Sequence, residues 1–255
     1  MKTAVKLVAL VPVYNHAATV GAVVRALDAL ALPVILIDDG SDAECAAALD
    51  ALVAAQETPQ TTSLLRLPEN GGKGGAVIAG LREAHARGYS HALQLDADGQ
   101  HDVAALPTFL DAMREAPQAV IAGFPRYDAS VPTGRLLGRY ATHFWVWINT
   151  LSLRIRDSMC GLRIYPLDAT LPVLDTMPSQ GRMEFDTEIL VRLDWAGVPI
   201  RNLLVAVRYP QGGVSHFRPW RDNARISWMH TRLFFGMLRR LPRLVARHFL
   251  SPEPR

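Results

Sequence analysis

Three acids fall within seven residues in the stretch LDADGQHD (95–102). Asp96 and Asp98 stand one residue apart, directly after the apolar run HALQL (91–95), and Gln100 follows closely. An Asp-x-Asp at a strand end puts two carboxylates beside each other at a turn, where they repel unless a positive charge joins them. Oxygen ligands of this kind suit Mg2+ or Mn2+, which use few protein groups and complete their shell with phosphate and water. An ion held there neutralises charge that builds on a departing diphosphate. A solvated Asp-Gly turn accounts equally well for a lone Asp-x-Asp. Here two further stretches accompany it, VPVYN (11–15) and LIDDGS (36–41). An acid such as Asp39 can accept hydrogen bonds from a base or a ribose, and residues around Pro12 and Tyr14 can wall a flat base pocket.

These residues need elements to hold them. Short apolar runs at 5–11, 33–40, 63–67, 91–95 and 118–123 read as buried strands. Between them, 18–30, 42–56, 74–88 and 103–116 carry helical spacing; Val20, Val23, Val24 and Leu27 share one face of the first. Strand and helix alternating over short connections imply an α/β fold, a mostly parallel sheet with helices on both faces. Ligands of such sheets sit beyond the carboxyl ends of the strands. Pro12–Tyr14, Asp38–Ser41 and Asp96–Gln100 all fall there. The second half predicts a helix over 134–155, a strand over 161–166, a helix over 185–197, a strand over 199–209 and a long basic helix over 218–241, stopped or kinked by Pro242. Residues 1–215 are read as the nucleotide-binding and catalytic domain, and 216–255 as an appended basic amphipathic helix.

The chain has 255 residues, nearly half of them apolar, enough for a substantial core, and nothing reads as disorder or low complexity. Its two cysteines, Cys45 and Cys160, have no metal-ligand spacing, which points to a reducing compartment. The N-terminal apolar run is about one strand long and lacks a small-residue cleavage site, so it is read as a buried strand. No apolar stretch reaches the ~18 residues of a transmembrane helix. The net charge is +3, and nine arginines crowd the segment from Phe217 onward against Asp222 and Glu253. Such clustering favours an anionic partner. Nucleic acid is excluded, because the aromatics are not interleaved with the arginines as a base-stacking groove requires.

PVYN (12–15), DDGS (38–41), NGGKGGA (70–76) and DADGQH (96–101) together resemble the signature of family 2 glycosyltransferases of the GT-A fold, most closely the dolichol-phosphate and polyprenyl-phosphate sugar transferases. The similarity continues through GFPRY (123–127), RDSMCGLR (156–163) and FDTEIL (185–190), covering roughly residues 5 to 210. It implies nucleoside contacts from Pro12, Tyr14 and Asp39. It implies that Asp96, Ala97 and Asp98 meet the ribose, diphosphate and Mg2+ or Mn2+, with Gln100 as a further metal contact. It also implies a lipid-phosphate arginine at Arg126 and a second at Arg135 or Arg139. The chain departs from the family with His16 in place of Glu and Cys160 in place of Ser. Around residue 211, where the family carries an arginine for the diphosphate, it offers Gln211, His216 or Arg218. NGGKGGA is not a P-loop, because Gly74 stands where Ser or Thr is needed. Lys73 is nevertheless read as a phosphate contact near a helix start.

A lipid phosphate acceptor is already anionic and needs only arginines to place it. A hydroxyl acceptor, on a lipid or an aryl-polyene carrier, needs a general base; Asp186 is the candidate, with Asp157 behind it. In the last helix Arg221, Arg225, Arg232, Arg239, Arg243 and Arg247 form one stripe beside Ile226, Leu233, Met237 and Leu241. That pattern suits either an anionic membrane surface at the inner, cytoplasmic face or packing on the domain. The string WRDNARISWMHTRLFFGM also resembles the C-terminus of aryl-polyene-associated glycosyltransferases. A third reading is a binding module that holds sugar nucleotides without turnover. Oligomeric state is not legible.

Overall fold

The computed structural model describes residues 5–55, 61–126, 133–177, 182–207 and 219–250. The first half alternates as expected: β1 (Leu7–Val13), α1 (Ala17–Asp28), β2 (Val34–Asp38), α2 (Ala43–Ala54), β3 (Thr62–Arg66), α3 (Lys73–Ala86), β4 (His91–Gln94), α4 (Leu106–Glu115) and β5 (Val120–Arg126). The second half comprises α5 (Thr133–Thr150), β6 (Arg163–Pro166), α6 (Leu167–Asp175), α7 (Phe185–Ala196), β7 (Ile200–Ala206) and α8 (Pro219–Leu250). The seven strands form one sheet in the order β3-β2-β1-β4-β6-β5-β7. β6 runs antiparallel to both its neighbours, and the other pairings are parallel.

Strand residues alternate between two cores because successive side chains leave opposite faces. From β1, Val8 and Leu10 enter a core shared with α3, α6, α7 and α8. Ala9, Val11 and Val13 enter the other, covered by α1, α2 and α4. Both faces are sealed, which is why these strands are continuous apolar runs and not alternating ones. Helix α6 is not announced by the sequence pattern. Leu167, Thr170, Val173 and Leu174 give it a buried face, while the internal Pro172 speaks against a helix.

The C-terminal helix extends past Pro242 to Leu250 and joins the first core. Met229, Leu233, Met237 and Leu244 are buried there. Two buried acids of α7 receive it: Arg232 Nη2 lies 3.1 Å from Glu188 Oε2, and Arg247 Nη2 lies 3.0 Å from Asp194 Oδ2. Leu244 and Arg247 are anchored beyond the proline, so tertiary contact carries the helix through it. Gly236 is the closest approach: a Cβ there would meet Trp195 Cη2 at 2.8 Å. Gly236→Val should therefore lift α8 from α7. An overpacking cost of about 1–3 kcal/mol is expected, read in a thermal melt as a fall on the order of 5 °C for a chain of this size.

Candidate active site

The carboxyl ends of β1, β2 and β4 lie side by side, and their loops are tied to one another. After β1, Asn15 adopts a positive φ of 56°, a conformation asparagine tolerates better than most residues. It accepts from the Asp42 N–H at 2.8 Å and donates its own N–H to Ser41 Oγ at 3.2 Å. The Asp39 N–H donates to the Val13 carbonyl at 2.9 Å, so Asp39 sits against the residue preceding Tyr14. Asp38, by contrast, faces inward as a turn-former, accepting from Ser41 N–H and Arg66 Nε, each at 2.9 Å.

The glycine-rich turn spans from this edge to β4. Gly71 N–H donates to Asp39 Oδ1 at 2.8 Å, and Asn70 Nδ2 to Asp39 Oδ2 at 3.0 Å. Burial pushes the Asp39 carboxyl up, and the N–H groups of Gly71 and Gly72 and the Arg182 charge offset this only in part. Arg182 also grips the Asn70 side chain at 3.0 Å. Gly72 has φ 83°, and a Cβ there would meet Arg182 Cγ at 2.5 Å, so conformation and space both demand glycine. One residue on, Lys73 opens α3 and reaches Asp96.

Lys73 has partners that the sequence pattern does not announce. Its ammonium lies 2.9 Å from each Asp96 oxygen and 2.8 Å from Asp186 Oδ2, bridging two carboxylates. Burial opposes the lysine charge, but Asp186 and Asp96 hold its pKa above the usual amine range. Asp96 is likewise held well below the usual carboxylate range, Lys73 and His101 overcoming its burial. Asp98 is different. Burial and the neighbouring Asp96 charge push its carboxyl up, and the Gln100 N–H, at 3.0 Å, with the more distant His101 and Lys73 charges, offsets this only in part. The Ala97 carbonyl accepts from Thr19 Oγ1 at 2.6 Å, fixing the loop to α1.

A buried polar ladder supports this cluster from inside the sheet. Gln94 Nε2 donates to Asp186 Oδ1 at 3.1 Å, and Tyr165 Oη donates to Gln94 Oε1 at 3.1 Å. Arg163, fully buried, donates to the Asp186 carbonyl at 2.6 Å and to the Ser158 carbonyl at 2.7 Å. Gln94 and Arg163 are register partners across β4 and β6. Both Asp186 oxygens are thus engaged, one by Gln94 and one by Lys73. Asp157 is equally committed. It accepts from Met159 N–H, Cys160 N–H and Arg139 Nη2, each at 2.8 Å. His143 and Arg139 outweigh its burial and hold its pKa well below the usual range.

The turn that Asp157 organises brings Gly161 onto Asp96. A Cβ at Gly161 would stand inside the carboxylate, 2.6 Å from Asp96 Cγ. Cys160 beside it is buried, its thiol pushed up to about 12 chiefly by that burial, so it acts as packing.

Arg139, one of the expected acceptor residues, divides two cavities. One holds Asp96, Gln100, His101 and Gly161. The other, about 180 Å³, is lined by Phe124, Tyr140, His143, Arg156 and Asp157. Arg139 is held in this wall by Asp157. Arg126 ends β5 opposite Ala206 and is exposed. The side chain of Arg135, and Gln211, His216 and Arg218, lie outside the described residues. Pro12 lies in β1 opposite Ile37, and Tyr14 follows the strand.

Among the described residues no three His, Cys, Asp or Glu side chains converge as a metal cage. The donor set nevertheless fits a small hard cation that takes two carboxylates. Asp96 Oδ1 is buried with no partner beyond its ion pair with Lys73, and Asp98 makes no ion pair among the described residues. Phosphate and water supply the remaining ligands of such an ion.

The sequence pattern missed Gly161, His101, Arg182 and the ladder. Gln94 and Arg163 did leave a signal: each is a polar residue within a short buried strand, which must find a partner.

Comparison with known proteins agrees with this arrangement. The chain is 26% identical over 215 residues to a dolichyl-phosphate beta-glucosyltransferase of Dictyostelium discoideum, covering 80% of this chain and 63% of that protein. It is 33% identical over 153 residues to an undecaprenyl-phosphate mannosyltransferase of Micrococcus luteus, covering 58% and 60%. The chain therefore spans about three fifths of the length of these relatives. Among solved structures, glucosyl-3-phosphoglycerate synthase of Mycobacterium tuberculosis, in complex with Mn2+ and UDP-glucose, superposes with a TM-score of 0.64 at 15% identity, over 92% of this chain and 80% of that one. The expected GT-A architecture is thus present. Residues 8–166 match the family described as Glycosyl transferase family 2, and the chain belongs to that family.

Proposed function

We propose that the protein is an inverting glycosyltransferase that moves a sugar from a nucleotide diphosphate sugar to a lipid-linked acceptor, a polyprenyl phosphate. The observation that carries this reading is the joining of Asp39, Asp96 and Asp98 at one sheet edge, next to a cleft walled by Arg139. Tyr14 and Asp39 would hold the nucleoside. Asp96 and Asp98 would hold Mg2+ or Mn2+, which supplies charge neutralisation for the diphosphate. Two of the relatives carry dolichyl or undecaprenyl phosphate in their names, and the structural neighbour is a complex with Mn2+ and a UDP-sugar.

Inversion needs the acceptor oxygen on the sugar face opposite the leaving diphosphate. A phosphate acceptor brings its negative charge with it, so the chain must only position it. Arg139, fixed by Asp157, and Arg156, which also lines the larger cleft, are placed to do so.

The enzyme would work as a peripheral protein at the inner face of an anionic membrane. No helix among the described residues is long and apolar enough to cross one. Arg232 and Arg247 turn inward to Glu188 and Asp194, so they leave the expected arginine stripe. What faces outward is apolar and cationic together: Trp228, Phe235 and Leu238 on α8 with exposed Arg221, Arg239 and Arg243, and Leu137, Tyr140 and Phe144 on α5. Tyr140 also lines the larger cleft, so the cleft and this surface are continuous. The test is a thermal-shift panel of UDP-, GDP- and dTDP-sugars with and without Mn2+, followed by transfer of labelled sugar to polyprenyl phosphate. One base should stabilise the protein in a metal-dependent way. Label found on a hydroxyl-bearing lipid and not on polyprenyl phosphate would favour the hydroxyl acceptor instead.

A further inference from the structure

Asp96 is in direct contact with a cation before any ligand arrives, whereas Asp98 makes no ion pair with any of the described residues. The Lys73 ammonium lies 2.9 Å from both Asp96 oxygens. It is anchored from behind as well, 2.8 Å from Asp186 Oδ2. Asp186 is braced in turn by Gln94 and by the buried Arg163. The lysine is therefore a fixed positive charge built into the floor of the site, and loops that move would not carry it away.

A divalent ion using both carboxylates must share Asp96 with this ammonium. Like charges across one carboxylate, in a partly desolvated site, repel strongly enough to cost at least about tenfold in affinity. A diphosphate brings the negative charge that cancels this repulsion, and it offers oxygens to both cations. We propose that Lys73 makes metal binding conditional on the nucleotide: the ligand-free protein holds the ion weakly, and the diphosphate secures it. Lys73 is a positioning residue in this scheme, acting through Asp96. The coupling is reciprocal, so the ion strengthens nucleotide binding by the same factor. This inference rests on the metal-dependent donor reading above.

Mn2+ titration of the full chain, followed by the electron paramagnetic resonance signal of free Mn2+, tests it without any turnover. Titrations are run alone and with saturating UDP, GDP or dTDP. Lys73→Gln should tighten binding of Mn2+ alone by about tenfold or more and shrink the gain from nucleotide. Lys73→Arg, which keeps the charge, should restore the wild-type weakness. Asp186→Asn removes the second anchor and leaves the ammonium wholly on Asp96, so Mn2+ alone should bind more weakly still. A role in folding alone predicts no such opposite signs. A folded Lys73→Gln protein that binds Mn2+ alone no more tightly than wild type overturns the inference, as does an Asp186→Asn protein that binds it more tightly. Absence of Mn2+ binding in wild type with all three nucleotides overturns the metal reading itself, and the inference falls with it.

Discussion

Asp98→Asn should abolish sugar transfer and at the same time raise the melting temperature. The two effects have one cause. Asp98 is desolvated and faces the Asp96 charge, and a single N–H from its own loop supports it. Its carboxyl is raised relative to the unfolded chain. For a raised acid the sign is fixed: the folded state is favoured fully below the unfolded pKa, and that advantage is lost as pH rises through the folded pKa. Near neutral pH the ionised Asp98 is therefore a burden on the fold, accepted because a bound ion relieves it. Asparagine keeps the shape and the acceptor oxygen for the Gln100 N–H and removes the charge. A gain on the order of 1 kcal/mol, roughly 2–4 °C in the melt, is expected for a chain of this size. Transfer should fall by at least about a thousandfold, since metal and diphosphate lose one of two protein carboxylates. The checks are a melt of the ligand-free proteins at pH 7 and at pH 4, and a transfer assay at saturating Mn2+. The stability advantage of the variant should shrink at the lower pH, where the wild-type carboxyl takes up its proton. Equal activity in variant and wild type would remove Asp98 from the site.

How far the sequence carried this picture depends on where each cause lies. The alternation of apolar runs and helical spacing encoded the sheet directly, since a strand sealed on both faces must be apolar throughout, as LVALVPV and VILI are. The carboxylates at the strand ends were legible for the same reason: an acid directly after a buried strand has few places to go. What stayed hidden were partners far apart along the chain. Lys73 reads as a phosphate contact, but nothing local shows that Asp186, 113 positions later, lies against it. Arg139 reads as an acceptor contact, but its anchoring by Asp157 in the cleft wall is not legible from local pattern. The stripe of arginines on α8 was visible, but its periodicity could not tell which members face Glu188 and Asp194 on a different helix. Pro242 likewise predicted a stop from local rules, and the burial of Leu244 beyond it overrode them.

Gly161→Ala should cost about a hundredfold in activity, although the added group is one methyl and titrates nothing. Gly161 lies in the turn that Asp157 holds through the Met159 and Cys160 N–H groups, which leaves its backbone little room to retreat. Its face is filled by the Asp96 carboxylate, whose Cγ would be 2.6 Å from the new Cβ. Asp96 cannot slide freely either, because the doubly anchored Lys73 pins it. One of these must move, and Asp96, a single side chain, is the softest. A displacement near 1 Å at a charge-handling group is worth about a hundredfold in rate. The expected result is a drop of that order in transfer, with Mn2+ and nucleotide binding weakened together. Overpacking should lower the melt as well, by roughly 2–6 °C. Gly161→Ser adds a hydroxyl to the same Cβ and should do no better, which separates steric exclusion from a missing polar group. If Gly161→Ala kept full transfer and unchanged Mn2+ affinity, Asp96 would have to reach the donor by a geometry other than the one in which it lies against this turn.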